Sequence, residues 1–323
     1  TDYDEDSIER KISLNNNFAH AEYQDTKINL IDTPGYAAFV SHARPALRVA
    51  DCALVVVDGV HSIEVQTEKT WNYANEFMLP RFMVINKIDK ENADFDHAIE
   101  TATDSFARSI VPFTLPIGSQ ASFRGVIDVV HQKAYEFDAD GKAKGIAIPG
   151  EMTGVLNSTR ERLIEIVAES DDALMEKYFE TGTLPEEDIV PNLAKAIAAS
   201  KLCPVYAVSS LNLIGLQILL DHLVEFAPNP ATHEAEYGFK DYDMTGDRVS
   251  RKYSNDEPFS AYVFRTIADP FAGRINVMKV VSGKIATDAV VYNSTHDVVE
   301  RLGALHVIAG KNLEKVNEAA TGD

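Results

Sequence analysis

Three short, uninterrupted apolar runs constrain this chain more than any other feature: Ala53–Val57 (ALVVV), Phe82–Ile85 (FMVI) and Pro204–Val208 (PVYAV). Each is too short for a buried helix, and between the first two, from about Val65 to Met78, the apolar spacing is helical. A strand that is apolar on both sides needs cover on both sides, which parallel strands receive from the helices that connect them. The spacing therefore predicts an α/β core with a doubly wound, mostly parallel sheet. Upstream, Phe18–Tyr23 (FAHAEY) alternates in period two and Lys27–Ile31 (KINLI) follows a short Asp25-Thr26 turn, the pattern of a hairpin.

After Asp89 the buried-strand signal pauses. Residues 113–200 hold a strand-like FRGVIDVVHQKAYEF, a turn at Asp138–Gly141 and helical stretches near Thr159–Phe179 and Glu186–Ala199. This is expected to be an α+β subdomain inserted before the last core strand, so that the core domain occupies 1–112 and 201–230. From 231 to 257 aliphatic residues nearly vanish and turn formers accumulate, as in a linker. Beyond it, from 258 to 323, β-branched runs divided by Pro270, Gly273, Gly283 and Asp288 predict the start of an all-β barrel that the sequence does not complete.

Composition excludes several classes. The 323 residues carry 30 Lys plus Arg against 50 Asp plus Glu, a formal charge of −20. Nonspecific nucleic-acid binding needs cations to replace phosphate counterions, so only a local basic surface could serve. No apolar run approaches the roughly 18 residues of a membrane span, and the opening TDYDEDSIER is unlike a signal sequence. Cys52 and Cys203 are too far apart in sequence to suggest a zinc cluster or disulfide framework. A soluble, cytoplasmic monomer with no membrane partner is expected. The opening on Thr1 and the stop at Gly322-Asp323 suggest an internal piece of a longer polypeptide.

Two motifs carry chemistry. Asp32-Thr33-Pro34-Gly35 follows KINLI directly. A carboxylate at a strand end can hold the hydration shell of Mg²⁺, and a glycine three residues on lets a backbone N–H approach a terminal phosphate. The pattern D-x-x-G recurs about once per chain of this length by chance, and Asp138–Gly141 and Asp243–Gly246 also match; only the first follows an expected core strand. Asn86-Lys87-Ile88-Asp89 ends FMVI. An amide that reaches a purine N7, a carboxylate that accepts from ring N–H and exocyclic amine, and a lysine stem along the base together select guanine over adenine. Three fixed positions in four arise by chance in about one such chain in twenty-five. Both motifs are expected at strand ends of one sheet. Ser209-Ser210-Leu211 ends PVYAV, where small residues let backbone N–H groups turn toward a base carbonyl.

In this order the motifs resemble translational GTPases, the elongation factor G group most closely, through KINLIDTPG, LPRFMVINKIDKENADF, CPVYAVSSLNLIG and ADPFAGRINVMKVVSGKIATDAVVYNST. The resemblance implies a P-loop GTPase-type fold, GTP/GDP and Mg²⁺ as cofactors, the ribosome (rRNA and ribosomal proteins) as partner, and GTP hydrolysis that promotes translocation of tRNA and mRNA. By position it assigns Asp32 and Gly35 to Mg²⁺ and the γ-phosphate, and Asn86, Lys87, Asp89, Ser209, Ser210 and Leu211 to the guanine. Ser13 stands where the family has a Mg²⁺-binding threonine. Tyr36 stands where it has a histidine that orients the attacking water. A phenol can hydrogen-bond a water but does not become a cation at neutral pH as imidazole can. Two further readings follow: a GTP-gated ribosome-binding module that does not hydrolyse, and a ribosomal protection protein of the same superfamily.

Pro45 should start or kink the helix after the D-T-P-G segment. His20, His42 and Trp71 are expected to be structural, and Arg248, Arg251 and Lys252 a solvated charge cluster. The phosphate loop G-x-x-x-x-G-K-[ST] does not occur in these residues. It is expected upstream of Thr1, so this chain alone is expected to bind nucleotide poorly and to be inactive.

Overall fold

The computed structural model describes residues 2–106, 109–239, 244–269 and 273–323. Two compact units emerge, one formed by Thr1–Asp51 with Pro228–Asp323 and the other by Cys52–Ala227.

The first part of the former unit holds helix α1 (Glu5–Arg10), strands β1 (Asn17–Tyr23) and β2 (Thr26–Asp32), and helix α2 (Ala43–Val49). The expected hairpin forms: β1 and β2 pair antiparallel from Asn17↔Asp32 to Tyr23↔Thr26. It is a sheet of its own, however, and β2 is nowhere fully buried. The expectation that both motifs end strands of one sheet is therefore corrected among the described residues. Among the described residues KINLI pairs with β1 alone and joins no other sheet. Pro45 lies in the first turn of α2, where a missing N–H costs least, after a 3₁₀ turn at Val40–His42.

The Cys52–Ala227 unit is the α/β core. Its elements are β3 (Ala53–Asp58), α3 (Val65–Glu76), β4 (Arg81–Asn86), α4 (Phe95–Ser105), β5 (Ser109–Pro112), β6 (Thr114–Ile117), β7 (Gly125–Asp128), β8 (Lys133–Phe137), β9 (Ala143–Ile146), α5 (Thr153–Ala168), α6 (Asp172–Thr181), α7 (Glu186–Ala198), β10 (Leu202–Ala207) and α8 (Leu216–Phe226). Strands β3-β4-β10-β5 form a parallel sheet in that order. The period-two rule divides its side chains between two cores. Phe82, Val84, Leu202 and Tyr206 meet α5, α6, α7 and α8, whereas Met83, Ile85, Cys203 and Val205 meet α3, α4 and Phe106 on the other face. Each large apolar side chain so enclosed contributes about 2 kcal/mol. Trp71 is indeed core, 3% exposed and stacked 4.0 Å from Phe106, with the Arg81 guanidinium 4.5 Å from its ring.

Three details depart from the sequence pattern. ALVVV is not covered throughout: among the described residues β3 is an edge strand paired with β4, and Leu54 and Val56 are exposed. Strand β5 is an unforeseen fourth member, short and ended by Pro112. The helical stretch near Thr159–Phe179 is two helices, because Asp171 accepts hydrogen bonds from the Ala173 and Leu174 amides and starts α6 anew. Within FRGVIDVVHQKAYEF, β7 and β8 form a hairpin, and with β6 and β9 they make an antiparallel sheet in the order β6-β7-β8-β9.

After a 3₁₀ turn at Pro230–Thr232, the regular elements described in the remainder of the first unit are β-strands. Strands β11 (Glu236–Phe239) and β12 (Arg248–Arg251) pair within the expected linker. Next come β13 (Ser260–Asp269), β14 (Gly273–Ser282), β15 (Lys284–Ala286), β16 (Val290–Asn293), β17 (Val298–Arg301), β18 (Leu305–Ala309), β19 (Asn312–Val316) and β20 (Glu318–Ala320). They pair antiparallel as β13–β14, β15–β20, β16–β17 and β18–β19, around a core of Val280, Ile285 and Leu305. Residues 1–51 join this unit through Phe18 against Phe264, Lys279 to Asp51 at 2.5 Å and the Arg48–Glu236 ion pair. Pro270 and Asp243 lie outside the described residues.

Candidate functional site

In the α/β unit the carboxyl ends of β3, β4 and β10 bring three short loops together. Asn86, the last residue of β4, bridges to the loop after β10: its Nδ2 donates to Ser210 Oγ at 3.0 Å and its Oδ1 accepts from the Ser210 amide at 3.0 Å. The same oxygen accepts from the Lys87 amide at 2.8 Å, which fixes Lys87 in the left-handed region at φ 63°. A carboxamide has two N–H donors, so one remains for a ligand. Lys87 Nζ reaches across to Asp58 Oδ2 at 2.5 Å, and Asp58 Oδ1 accepts from the Val60 amide at 2.9 Å. Burial raises the Asp58 carboxyl, but the Lys87 hydrogen bond, the Val60 amide and the charge of Lys87 outweigh it and hold it below the ordinary value.

Asp89 follows in a turn closed by Lys90 N to Lys87 O at 3.0 Å, anchored by the buried side chain of Ile88. The third predicted element is a tight loop. Ser209 is fully buried and exchanges both backbone hydrogen bonds with Ile214, at 3.1 and 3.0 Å, and its Oγ accepts from the Asn212 amide at 3.3 Å. Because the Ser210 amide is taken by Asn86, the Leu211 amide is the one of these three with no hydrogen bond among the described residues; its side chain is 74% exposed. Gly215 closes the loop at φ 83°, and a Cβ there would lie 2.5 Å from the Ala207 carbonyl oxygen, so only glycine fits. Asn86, Lys87, Asp89, Ser210 and Leu211 thus share one sheet edge, the position where open α/β sheets bind ligands.

The other predicted residues belong to the unit built from 1–51 and 228–323. Asp32 ends β2 opposite Asn17. Pro34 is buried, Gly35 exposed, and a Cβ on Gly35 would meet nothing within 4 Å. Tyr36 is 59% exposed, and its carbonyl accepts from the Phe39 amide at 2.9 Å. Ser13 follows α1 and donates to Asp2 Oδ2 at 2.9 Å. A hydroxyl and a carboxylate, completed by water and phosphate oxygens, are the hard donors Mg²⁺ takes, so the residue types fit. The competing D-x-x-G at Asp138 is explained locally: its Oδ1 accepts from the Asp140 and Lys142 amides at 3.0 and 2.9 Å and closes the β8–β9 turn.

Sequence reasoning missed Asp58, whose signal was available: an Asp-Gly ends ALVVV as Asn-Lys ends FMVI, and the register pairs Asp58 with Asn86. It also missed a cluster remote in sequence. Asp128 Oδ2 lies 2.8 Å from His131 Nδ1 and 3.2 Å from His222 Nε2, while His131 Nε2 lies 3.4 Å from Glu225 Oε2. The hydrogen bonds to Asp128 and Glu225 push His131 up to about 10, while burial, which would raise Asp128, is overcome by its two histidines so that it lies far below the usual carboxylate range.

Comparison with known proteins agrees with this architecture. Residues 1–229 match the family model of the elongation factor Tu GTP binding domain, and residues 258–323 match elongation factor G domain 2. An elongation factor G-like protein of Thermotoga maritima is 33% identical over 322 residues, covering 100% of this chain and 46% of that protein. A crystal structure of a protein from Thermus thermophilus superposes with a TM-score of 0.85 at 29% identity, covering 100% of this chain and 45% of that one. The chain therefore spans less than half the length of the relatives it matches. With residues 1–229 and 258–323 both matched and its parallel sheet followed by β-strands, the chain belongs to the translational GTPases of the elongation factor G type.

Proposed function

We propose that the protein carrying this chain binds GTP, hydrolyses it on the ribosome and so promotes movement of tRNA and mRNA. The observation that carries the reading is the braced edge at Asn86. Its carboxamide ties the loops after β4 and β10 together and keeps one N–H for a purine nitrogen, with Asp89 in the same loop to accept from the guanine ring N–H and amine. Lys87, held by Asp58, lays its stem along the base. The Leu211 amide, with Ser209 and Ser210 fixing its turn, addresses the base carbonyl.

Asp32 and Ser13 would hold Mg²⁺, which neutralises phosphate charge when bound. The Gly35 amide meets the terminal phosphate, and Tyr36 hydrogen-bonds the attacking water. Ribosome contact is assigned to local surfaces of the acidic chain, and the protein is taken as cytoplasmic and monomeric; no helix among the described residues is long and apolar enough to cross a membrane. The exposed Tyr36 in place of an imidazole supports a second reading, a GTP-gated ribosome-binding module that does not hydrolyse.

Competition against a fluorescent GTP analogue on the full-length protein tests the base assignment. GTP should displace the analogue, ATP should not, and ITP, which lacks the amine that Asp89 accepts, should be weaker by about 10- to 100-fold. Equal displacement by ATP and GTP would sink the reading.

A further inference from the structure

The cluster at Asp128, His131 and His222 shares no residue with the edge at Asn86 and has no part in the proposed nucleotide binding. Three ligand atoms, Asp128 Oδ2, His131 Nδ1 and His222 Nε2, all fall within 4.8 Å of one another. Two of the edges measure 2.8 and 3.2 Å. In a tetrahedral zinc site, with bonds of about 2.0–2.1 Å, neighbouring donors stand about 3.3 Å apart, so the three need only small rotamer adjustments to close on one ion.

The surroundings are those of a metal site. Glu225 Oε2 stands 3.4 Å behind His131 Nε2, the carboxylate-backed histidine that orients metal-bound imidazoles. His222 is 1% exposed and walled by the rings of Phe113, Tyr206 and Phe226, at centroid distances of 5.9, 5.6 and 5.2 Å, which exclude water from one side. His131 is half-buried and leaves an approach from solvent on the other. Three elements converge: Asp128 ends β7, His131 lies in the β7–β8 turn and His222 projects from α8.

We propose that Asp128, His131 and His222 form a zinc-binding site, with water as fourth ligand, that pins the β7–β8 hairpin to helix α8. Two imidazole nitrogens and one carboxylate oxygen suit Zn²⁺ and its surrogate Co²⁺ far better than Mg²⁺ or Ca²⁺, which prefer all-oxygen shells. Binding displaces protons from the imidazole nitrogens to solvent, and no redox step is involved. Without metal the same atoms hold together by hydrogen bonds, so the rival account is a purely hydrogen-bonded brace.

Titration of the metal-free chain with Co²⁺ separates the two. The expected result is the intense visible absorption of tetrahedral cobalt, saturating at a single equivalent, abolished by Zn²⁺ and unaffected by excess Mg²⁺. The half-exposed His131→Gln should lose at least tenfold in cobalt affinity while keeping the unaltered near-ultraviolet circular dichroism of a folded chain. His222→Gln should lose the band altogether, and His306→Gln, in the β unit, should keep it. No visible band with wild-type chain, or a band that survives in both His131→Gln and His222→Gln, would overturn the proposal in favour of the hydrogen-bonded brace.

Discussion

The two predicted motifs are built in opposite ways. Asn86-Lys87-Ile88-Asp89 ends a strand whose first five residues are all buried, and its side chains are tied to Asp58 and Ser210 before any ligand arrives. Asp32-Thr33-Pro34-Gly35 ends a strand with no fully buried residue, and it leads into an exposed Gly35 and Tyr36. The contrast is one of rigidity. A base-reading edge gains from preorganisation, since ordering costs are met in folding. In the role proposed for it, the Asp32 segment would respond to a phosphate, and responsive segments are drawn from the parts with few buried contacts.

The largest effect expected from breaking this contrast is at Asn86. Asn86→Ala removes three hydrogen bonds that hold two loops, and should cost about 2 kcal/mol of stability in denaturant melts of the chain. A change below about 0.5 kcal/mol would mean the edge is not braced as described.

Lys87→Met sharpens the same point through pH. Asp58 is held below its ordinary value of 3.8 in the folded state, so its pairing adds stability above that value and loses it as pH falls through the depressed folded value. With Lys87 half-exposed, the variant should lose about 0.5 kcal/mol at neutral pH. Its deficit against wild type should shrink as pH falls through the carboxylate range. A deficit that stays constant into acid would show that the lysine acts by packing alone.

Gly35→Ala should change stability least, by a few tenths of a kcal/mol, because the added methyl meets nothing within 4 Å. In the full-length protein the same change should slow phosphate release, since the methyl occupies the approach to the amide. A variant that is destabilised but fully active would reverse the contrast between the two motifs.

Much of this was legible in the sequence, for physical reasons that can be named. FMVI and PVYAV are apolar on both faces, and a strand of that kind has few places to go; Asn86 and Ser209 follow at their ends as the pattern required. KINLI looked similar, yet its alternation with Lys27 and Asn29 suits a two-stranded ribbon, and composition alone does not say which strands become neighbours. Asp58 acquires its meaning only through the β3–β4 register. The helix break at Asp171 was a capping signal inside an apolar period. Asp128, His131 and His222 were hidden because the two histidines stand 91 positions apart and tertiary folding alone joins them.

Hydrolysis is tested by ribosome-stimulated release of phosphate from GTP, measured on the full-length protein with Tyr36 intact and with Tyr36→His. Release should depend on ribosomes and be altered by the histidine. GTP bound normally, with no phosphate released by either protein in the presence of ribosomes, would contradict it.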